Sequence, residues 1–217
     1  MSSHRKWAAL AFALALGGGG PALAAEGLHL SLGIGTALPA MSGDAIHQIK
    51  PEPASAEQVE VGYGFTDHIY AGLYASGAAG NASEDWDRNA VWDSIMLGLL
   101  GRYAFLSKGN VSPYLEIGVH EAAFGTAGDH HTFISDAAVG VLGGGGVDFF
   151  FGPQRRLLFG VDLSYRSARY TRARVKLDYN DPKIDGTYDV NFHANGDMVL
   201  LLFKVGYVWR PAQRPGF

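Results

Sequence analysis

Residues 59–76 read VEVGYGFTDHIYAGLYAS, and this stretch contains the pattern that decides the fold. In its first seven positions, large apolar side chains alternate with glutamate and glycine, which is the period of a β-strand with two unlike faces. The polar turn Thr66-Asp67-His68 follows, and a second run of strand composition begins at Ile69. The stretch predicts two antiparallel strands joined by a short turn, although the sequence leaves the facing of the second strand ambiguous.

The same alternation recurs along the chain and predicts eight strands in all. The other six lie at residues 28–34, 95–105, 115–119, 139–151, 159–165 and 199–209. Long links, at residues 37–57, 77–94, 124–137 and 167–197, alternate strictly with short ones at residues 66–68, 106–113 and 152–156. Outer-membrane barrels show this alternation, with long loops outside and short turns in the periplasm. Within the last long link, residues 172–179 and 187–193 predict a hairpin that projects above the membrane.

The two faces of the predicted strands distinguish a membrane barrel from a soluble sheet. The water-facing side of a soluble sandwich favours lysine, glutamate, threonine and serine, whereas the second face here is mostly glycine with isolated charges. A lipid-facing Arg or Lys costs about 2–4 kcal/mol at the bilayer midplane. Seven strand charges fall on the glycine-rich face instead, namely Glu60, Arg102, Glu116, Asp148, Asp162, Arg166 and Lys204. The sequence predicts an all-β fold, an eight-stranded antiparallel up-and-down transmembrane β-barrel with a narrow lumen.

The N-terminal residues 1–24 have the three regions of a secretory signal peptide. Arg5 and Lys6 form the positive region, residues 7–16 are apolar, and Ala22-Leu23-Ala24 is a small-residue cleavage motif. An uncleaved membrane anchor is the alternative, but four glycines and a proline before the motif favour cleavage. Residues 25–217 are then the exported barrel domain.

Composition excludes several classes of protein. The chain has 217 residues and no cysteine, which rules out disulfides, thiolate metal centres and a lipoprotein anchor. A net charge of −4 without a basic excess argues against nucleic acid as a partner. The 30 glycines are roughly twice the ordinary share, and many of them lie on the lumen-facing parity of the predicted strands.

Four segments, at residues 59–76, 113–119, 139–151 and 203–209, resemble the small eight-stranded outer-membrane barrels of Gram-negative bacteria, the OmpA-barrel-like and OmpW-like groups. The resemblance implies residence in the cell outer membrane, contact with its lipids including lipopolysaccharide, and insertion by the barrel-assembly machinery. Such barrels usually end on a C-terminal aromatic residue. Here Pro211 and Pro215 separate the last strand from Phe217, so either Trp209 ends the strand or the tail is a periplasmic extension.

No motif predicts catalysis, a cofactor or a metal. Asp129, His130, His131 and Asp136 have metal-ligand chemistry, but they are predicted to lie in a solvated external loop. Residues 113–124 resemble the lipid A deacylase family, which places a histidine two residues before its serine nucleophile. Asp162 occupies that position before Ser164, so the serine lacks a base, and we predict that the chain is not an enzyme.

The functional predictions rest on two sets of charged residues. The near-balanced lumen set predicts a structural ion-pair core that plugs a monomeric barrel, with a role in stabilising the envelope and in surface interactions. The alternative is an OmpW-like narrow channel for small, apolar solutes, and a lipid A-modifying barrel is less favoured. A second set is predicted to meet lipopolysaccharide phosphates or other anions at the outer rim, namely Arg169, Arg172, Arg174 and Lys176.

Overall fold

The computed structural model describes residues 26–43, 49–66, 68–84, 90–105, 110–152, 155–178 and 185–210. The predicted signal peptide and the tail after Arg210 lie outside these residues. Among the residues described, no helix is long and apolar enough to cross a bilayer.

The described chain forms antiparallel β-strands. Their bounds are β1 (Gly27–Pro39), β2 (Ser42–Gly43), β3 (Ile49–Pro51), β4 (Ala54–Gly64), β5 (Ile69–Glu84), β6 (Val91–Ala104), β7 (Val111–Ala127), β8 (His131–Ser135), β9 (Ala138–Phe151), β10 (Leu157–Leu177), β11 (Gly186–Asn195) and β12 (Met198–Trp209).

Eight of these strands close into a barrel in the order β1-β4-β5-β6-β7-β9-β10-β12. Closure comes from the pairing of β1 with β12, which runs from Leu28 opposite Trp209 to Pro39 opposite Met198. The predicted eight-stranded antiparallel barrel is confirmed. The short connections lie at one end of the barrel, the turn end, together with the start of β1 and the end of β12. The longer connections lie at the opposite end, the loop end.

Strands also occupy much of the predicted long links. The predicted hairpin in the last link is present, because β10 continues past a bulge at residues 170–172 and pairs with β11 as far as Leu177 opposite Gly186. The predicted long link at residues 124–137 also contains strand residues. β7 runs on to Ala127, and β8 fills the space between β7 and β10 beyond the end of β9. Pairing on both edges satisfies the backbone groups of β8 and so makes this short strand stable.

The outward face of the barrel is a belt of exposed apolar side chains. Val139 is 81 % exposed and Ile117 is 74 % exposed, whereas the inward-facing Leu200 and Leu202 are fully buried. The facing of β5, ambiguous in the sequence, is settled by Tyr70 and Tyr74, which point inward while Leu73 points outward. Aromatic side chains gather outside at the turn end, namely Tyr63, Phe65, Tyr103, Phe105, Phe149, Phe151, Phe159, Tyr207 and Trp209.

Inward glycines make room for the side chains that fill the lumen. A Cβ added at Gly146 would lie 2.5 Å from the Tyr114 hydroxyl and 2.3 Å from the Val161 carbonyl oxygen. At the outward-facing Gly143, three residues earlier, an added Cβ would meet nothing within 4 Å. The glycine content of the chain therefore reflects a narrow lumen at the inward positions.

This contrast gives a test of the narrow lumen. We expect Gly146→Ala to destabilise the barrel by about 1–3 kcal/mol, because a backbone oxygen and a fixed tyrosine cannot both move aside. The matched Gly143→Ala variant should stay within about 0.5 kcal/mol of the parent. Urea unfolding of the refolded barrels in detergent micelles measures both, and equal losses would contradict this account.

Candidate functional site

The interior of the barrel is divided into three layers of buried side chains. The ion-pair layer, near the turn end, contains Glu60, Arg102, Glu116, Asp148, Asp162 and Lys204 with Tyr70 and Tyr114. The middle layer contains Gln58, Tyr74, Met96, His120, Ser164 and Arg166. The aromatic layer, toward the loop end, contains Trp92, Phe124, Phe133, Tyr170 and Phe192.

Arg102 is the centre of the first ion cluster. Its two terminal nitrogens each donate a hydrogen bond of 2.6 Å to the two carboxylate oxygens of Glu60. Its Nε donates a hydrogen bond of 2.7 Å to the Glu116 carboxylate. Glu116 lies directly opposite Arg102 on the neighbouring strand. The side chains of Glu60 and Glu116 are 2 % and 1 % exposed. A fork of donors between two carboxylates satisfies both anions at one point of the lumen.

Lys204 is the centre of the second ion cluster. Its ammonium lies 3.2 Å from Asp148 and 4.0 Å from Asp162, and it donates a hydrogen bond to the Tyr114 hydroxyl. That hydroxyl in turn donates to Asp162 at 2.6 Å. Gly160 lies between Lys204 and Asp148 in the register of the sheet. A Cβ there would come within 2.4 Å of the Asp148 carboxylate, so glycine at this position permits the ion pair.

Tyr114 joins the two clusters. The Arg102 guanidinium lies 4.7 Å from the centre of its ring, and the Lys204 ammonium lies 4.5 Å from the same ring. Cations over an aromatic face are attracted by its quadrupole. The six charges therefore form one connected layer, and an apolar cluster of Phe150, Leu158 and Val208 lies beyond it at the turn end.

Arg166 in the middle layer is bound differently. It is fully buried, donates to the Gln58 side-chain oxygen at 2.5 Å, and lies 4.8 Å from the centre of the Tyr74 ring. Within the described residues, no carboxylate lies within ion-pair distance of it. Gln58 donates to Glu60 at 3.3 Å, and this contact links Arg166 to the ion-pair layer.

The aromatic layer was not foreseen from the sequence. The centre of the Phe124 ring lies 6.3 Å from the ring centres of Trp92 and Phe133 and 6.4 Å from that of Tyr170. Phe133 also packs edge-to-face against Phe192, with 5.1 Å between the ring centres. Alanines surround this group on β1, β4, β5, β7 and β10. Part of the signal was present, since Trp92, Phe124 and Tyr170 continue the inward parity of β6, β7 and β10 beyond the apolar belt.

The structure places all seven lumen charges predicted from the sequence on the inner face and brings six of them together, while Arg166 stands apart. Ser164 is 1 % exposed and faces the lumen with Asp162 and Arg166 on the same strand. Arg169, Arg172, Arg174 and Lys176 lie exposed on the outer face of β10 at the loop end. Arg174 pairs with Asp189 at 3.4 Å.

The predicted solvated loop holds for Asp129, His130 and Asp136, which are exposed, but is wrong for His131. His131 begins β8 and is only 6 % exposed, because this strand turns it toward the barrel mouth. Across the described part of the chain, no three side chains of metal-binding type come together.

A comparison of the sequence with protein-family models and with curated proteins found no match. Solved structures of small outer-membrane barrels do share the fold. The outer membrane protein OprG from Pseudomonas aeruginosa superposes with a TM-score of 0.65 at 17% identity, over 88% of this chain and 99% of that one. Neisserial surface protein A superposes with a TM-score of 0.53 at 14% identity, over 85% of this chain and 99% of that one. The outer membrane protein AlkL, solved in lipid bilayers, superposes with a TM-score of 0.51 at 14% identity, over 93% of this chain and 97% of that one.

The likeness confirms the predicted resemblance to small eight-stranded outer-membrane barrels at the level of the fold. At these identities it extends to the architecture alone, so the role of the chain has to be argued from its own residues.

The Arg102 cluster generates a second prediction. Replacing Arg102 with Met leaves two buried carboxylates without their cation, and we expect a loss of ~3–5 kcal/mol in the free energy of unfolding. The exposed Arg174→Met change, which also breaks an ion pair, should cost about 0–1 kcal/mol. Combining Arg102→Met with Glu60→Gln and Glu116→Gln should recover most of the loss. If the triple variant is as unstable as the single one, unpaired charge is not the cause.

Proposed function

We propose that this protein spans a Gram-negative outer membrane as a closed barrel, stabilises the envelope and presents its loop end at the cell surface. The observation that carries the proposal is the outward apolar belt combined with the inward placement of all seven predicted lumen charges. On β7, residues 111–119 expose Val111, Leu115, Ile117 and Val119. Nine residues of a strand tilted by roughly 40° rise about 20 Å, close to the height of a bilayer-facing belt.

The filled lumen supports a structural role over a conducting one. Leu202, Asp162 and Arg166 are 0 % exposed, and Glu60 is 2 % exposed. Ions crossing the barrel would have to displace buried, paired charges, and breaking such pairs is costly. The same placement supports a non-enzymatic role, because Ser164 lies inside the filled lumen with Asp162 two positions before it.

A specific observation favours a second candidate, a narrow OmpW-like channel for small apolar solutes. The aromatic layer gives the loop-end half of the lumen an apolar lining that such a solute would prefer. In this case, Trp92 and Phe124 would move aside to admit the solute, and the ion-pair layer would remain the barrier to ions.

One experiment tests the proposal and separates it from this channel. The mature chain, refolded into lipid vesicles, should migrate differently on a denaturing gel before and after boiling, as a resistant barrel does. In planar bilayers the same protein should show no steady single-channel currents, and vesicles carrying it should take up small apolar solutes no faster than protein-free vesicles. Recovery of the mature protein in the soluble periplasm would overturn the membrane role. Steady currents would exclude the closed lumen. Uptake of apolar solutes faster than in protein-free vesicles, without currents, would favour the second candidate.

The cations on the outer face of β10 support contact with lipopolysaccharide. Arg169, Arg172 and Lys176 have no ion pair within the described residues and lie beyond the apolar belt. The proposed membrane orientation brings them to the level of the lipid phosphates. Basic side chains at an anionic membrane surface contribute about 1 kcal/mol each.

This contact gives a quantitative expectation. Changing Arg169, Arg172 and Lys176 together to Gln should weaken lipopolysaccharide binding about 100-fold, at ~1 kcal/mol for each cation removed. Lys50→Gln, which removes a single exposed cation on β3 at the loop end, should weaken binding by at most about fivefold. The affinity is measured by titrating lipopolysaccharide into the refolded barrel at several salt concentrations. Equal affinities of the triple variant and the Lys50→Gln variant would refute the contact.

A further inference from the structure

Three arginines lie together at the turn end, where the connection between β9 and β10 comes next to the end of β12. Arg155 and Arg156 directly precede β10, and Arg210 directly follows β12. The Arg210 guanidinium donates a hydrogen bond of 3.0 Å to the Arg155 carbonyl oxygen. Neither Arg155 nor Arg156 has an ion pair with another described residue. Positive charges held this close together attract an anion.

The Arg156 guanidinium lies beside the aromatic side chains of β12. One of its terminal nitrogens donates a hydrogen bond of 3.3 Å to the Tyr207 hydroxyl. The Tyr207 ring packs edge-to-face against Trp209, with 4.8 Å between the ring centres. A hydroxyl that accepts one hydrogen bond can still donate its own proton. A guanidinium and a hydroxyl at one point are therefore donors suited to the oxygens of a phosphate.

The apolar belt begins next to these two donors. Leu157 lies opposite Tyr207 in the register of β10 and β12, and Phe159 lies opposite Val205. Leu157, Phe159 and Val205 are all exposed on the outer wall. A molecule bound through its phosphate at Arg156 would therefore have this apolar wall beside it. A phosphate next to hydrocarbon is the chemistry of a glycerophospholipid, whereas free phosphate would gain nothing from the wall.

We propose that Arg156 and Tyr207 bind the phosphate of an anionic glycerophospholipid in the leaflet at the turn end. The guanidinium and the hydroxyl donate hydrogen bonds to the phosphate oxygens, and Arg155 and Arg210 add positive potential beside them. The acyl chains lie along the outer wall of β10 and β12. A zwitterionic headgroup brings its own ammonium near three arginines and is repelled by them, so the site distinguishes phosphatidylglycerol from phosphatidylethanolamine.

This inference rests on the proposed membrane location and is tested so that the two can fail separately. The full mature chain with Arg169, Arg172 and Lys176 changed to Gln serves as the background, because the loop-end cations would also attract anionic lipid. It is refolded into nanodiscs with equal amounts of phosphatidylglycerol and phosphatidylethanolamine carrying the same acyl chains. Lipids retained on the released protein are counted by native mass spectrometry. Gel mobility before boiling reports membrane insertion independently of lipid choice.

The background protein should retain at least about threefold more phosphatidylglycerol than phosphatidylethanolamine, a ratio equivalent to ~0.65 kcal/mol. Arg156→Gln should bring the ratio close to one. Arg156→Lys, which keeps the charge but loses the planar fork of donors, should give an intermediate ratio. Tyr207→Phe, which removes the hydroxyl, should also lower the ratio. The matched Tyr63→Phe change, on an exposed tyrosine of β4 at the same end, should leave the ratio unchanged.

Several results would overturn the site. A full preference in Arg156→Lys, with equal ratios in Tyr207→Phe and Tyr63→Phe, would reduce the effect to general surface charge. Loss of the preference in inorganic phosphate, but not in chloride of the same ionic strength, would mean that the ligand is free phosphate. A background protein that inserts normally but shows no preference disproves the lipid site alone, whereas failure to insert disproves the membrane role itself.

Discussion

Closure of an eight-stranded sheet is the constraint on which the rest of the molecule depends. Pairing of β1 with β12 leaves the barrel no free edge, which a β-structure in a bilayer requires because lipid cannot satisfy backbone groups. Eight strands enclose a lumen only wide enough for side chains. Large inward groups therefore need glycine beside them, as Tyr114 needs Gly146 and the pair of Asp148 and Lys204 needs Gly160.

The narrow lumen also explains how so much charge is tolerated inside. Arg102 binds Glu60 and Glu116 and lies over the Tyr114 ring, while Lys204 donates to the hydroxyl of that same tyrosine. Gln58 extends the network to Arg166. Each carboxylate of the first cluster finds its cation across one or two strands, so these charges are paired directly. The consequence is rigidity, since removing any central member leaves buried charge without a partner.

Alternation made the barrel and its inward charges predictable, because side chains on a strand change face at every residue. The partners were not predictable, since they depend on register. Arg102 meets Glu116 only because their strands pair at that position. β8 escaped prediction because the five residues His-Thr-Phe-Ile-Ser have little alternation, and they form a strand only where β7 and β10 extend past β9. The aromatic layer escaped because Trp92, Tyr170 and Phe192 occupy stretches whose composition resembles loops.

Because side chains fill the interior of the barrel, the surface left for binding other molecules is its outer wall. In a wide barrel the lumen offers the polar, shaped surface on which specificity is built, but here that surface is occupied by the protein's own ion pairs and aromatic rings. The outward wall carries charges beyond the apolar belt, among them the cations on β10 at the loop end. On the proposed membrane location, these cations suit anionic headgroups. The proposed contact with anionic lipid therefore makes no use of the filled interior.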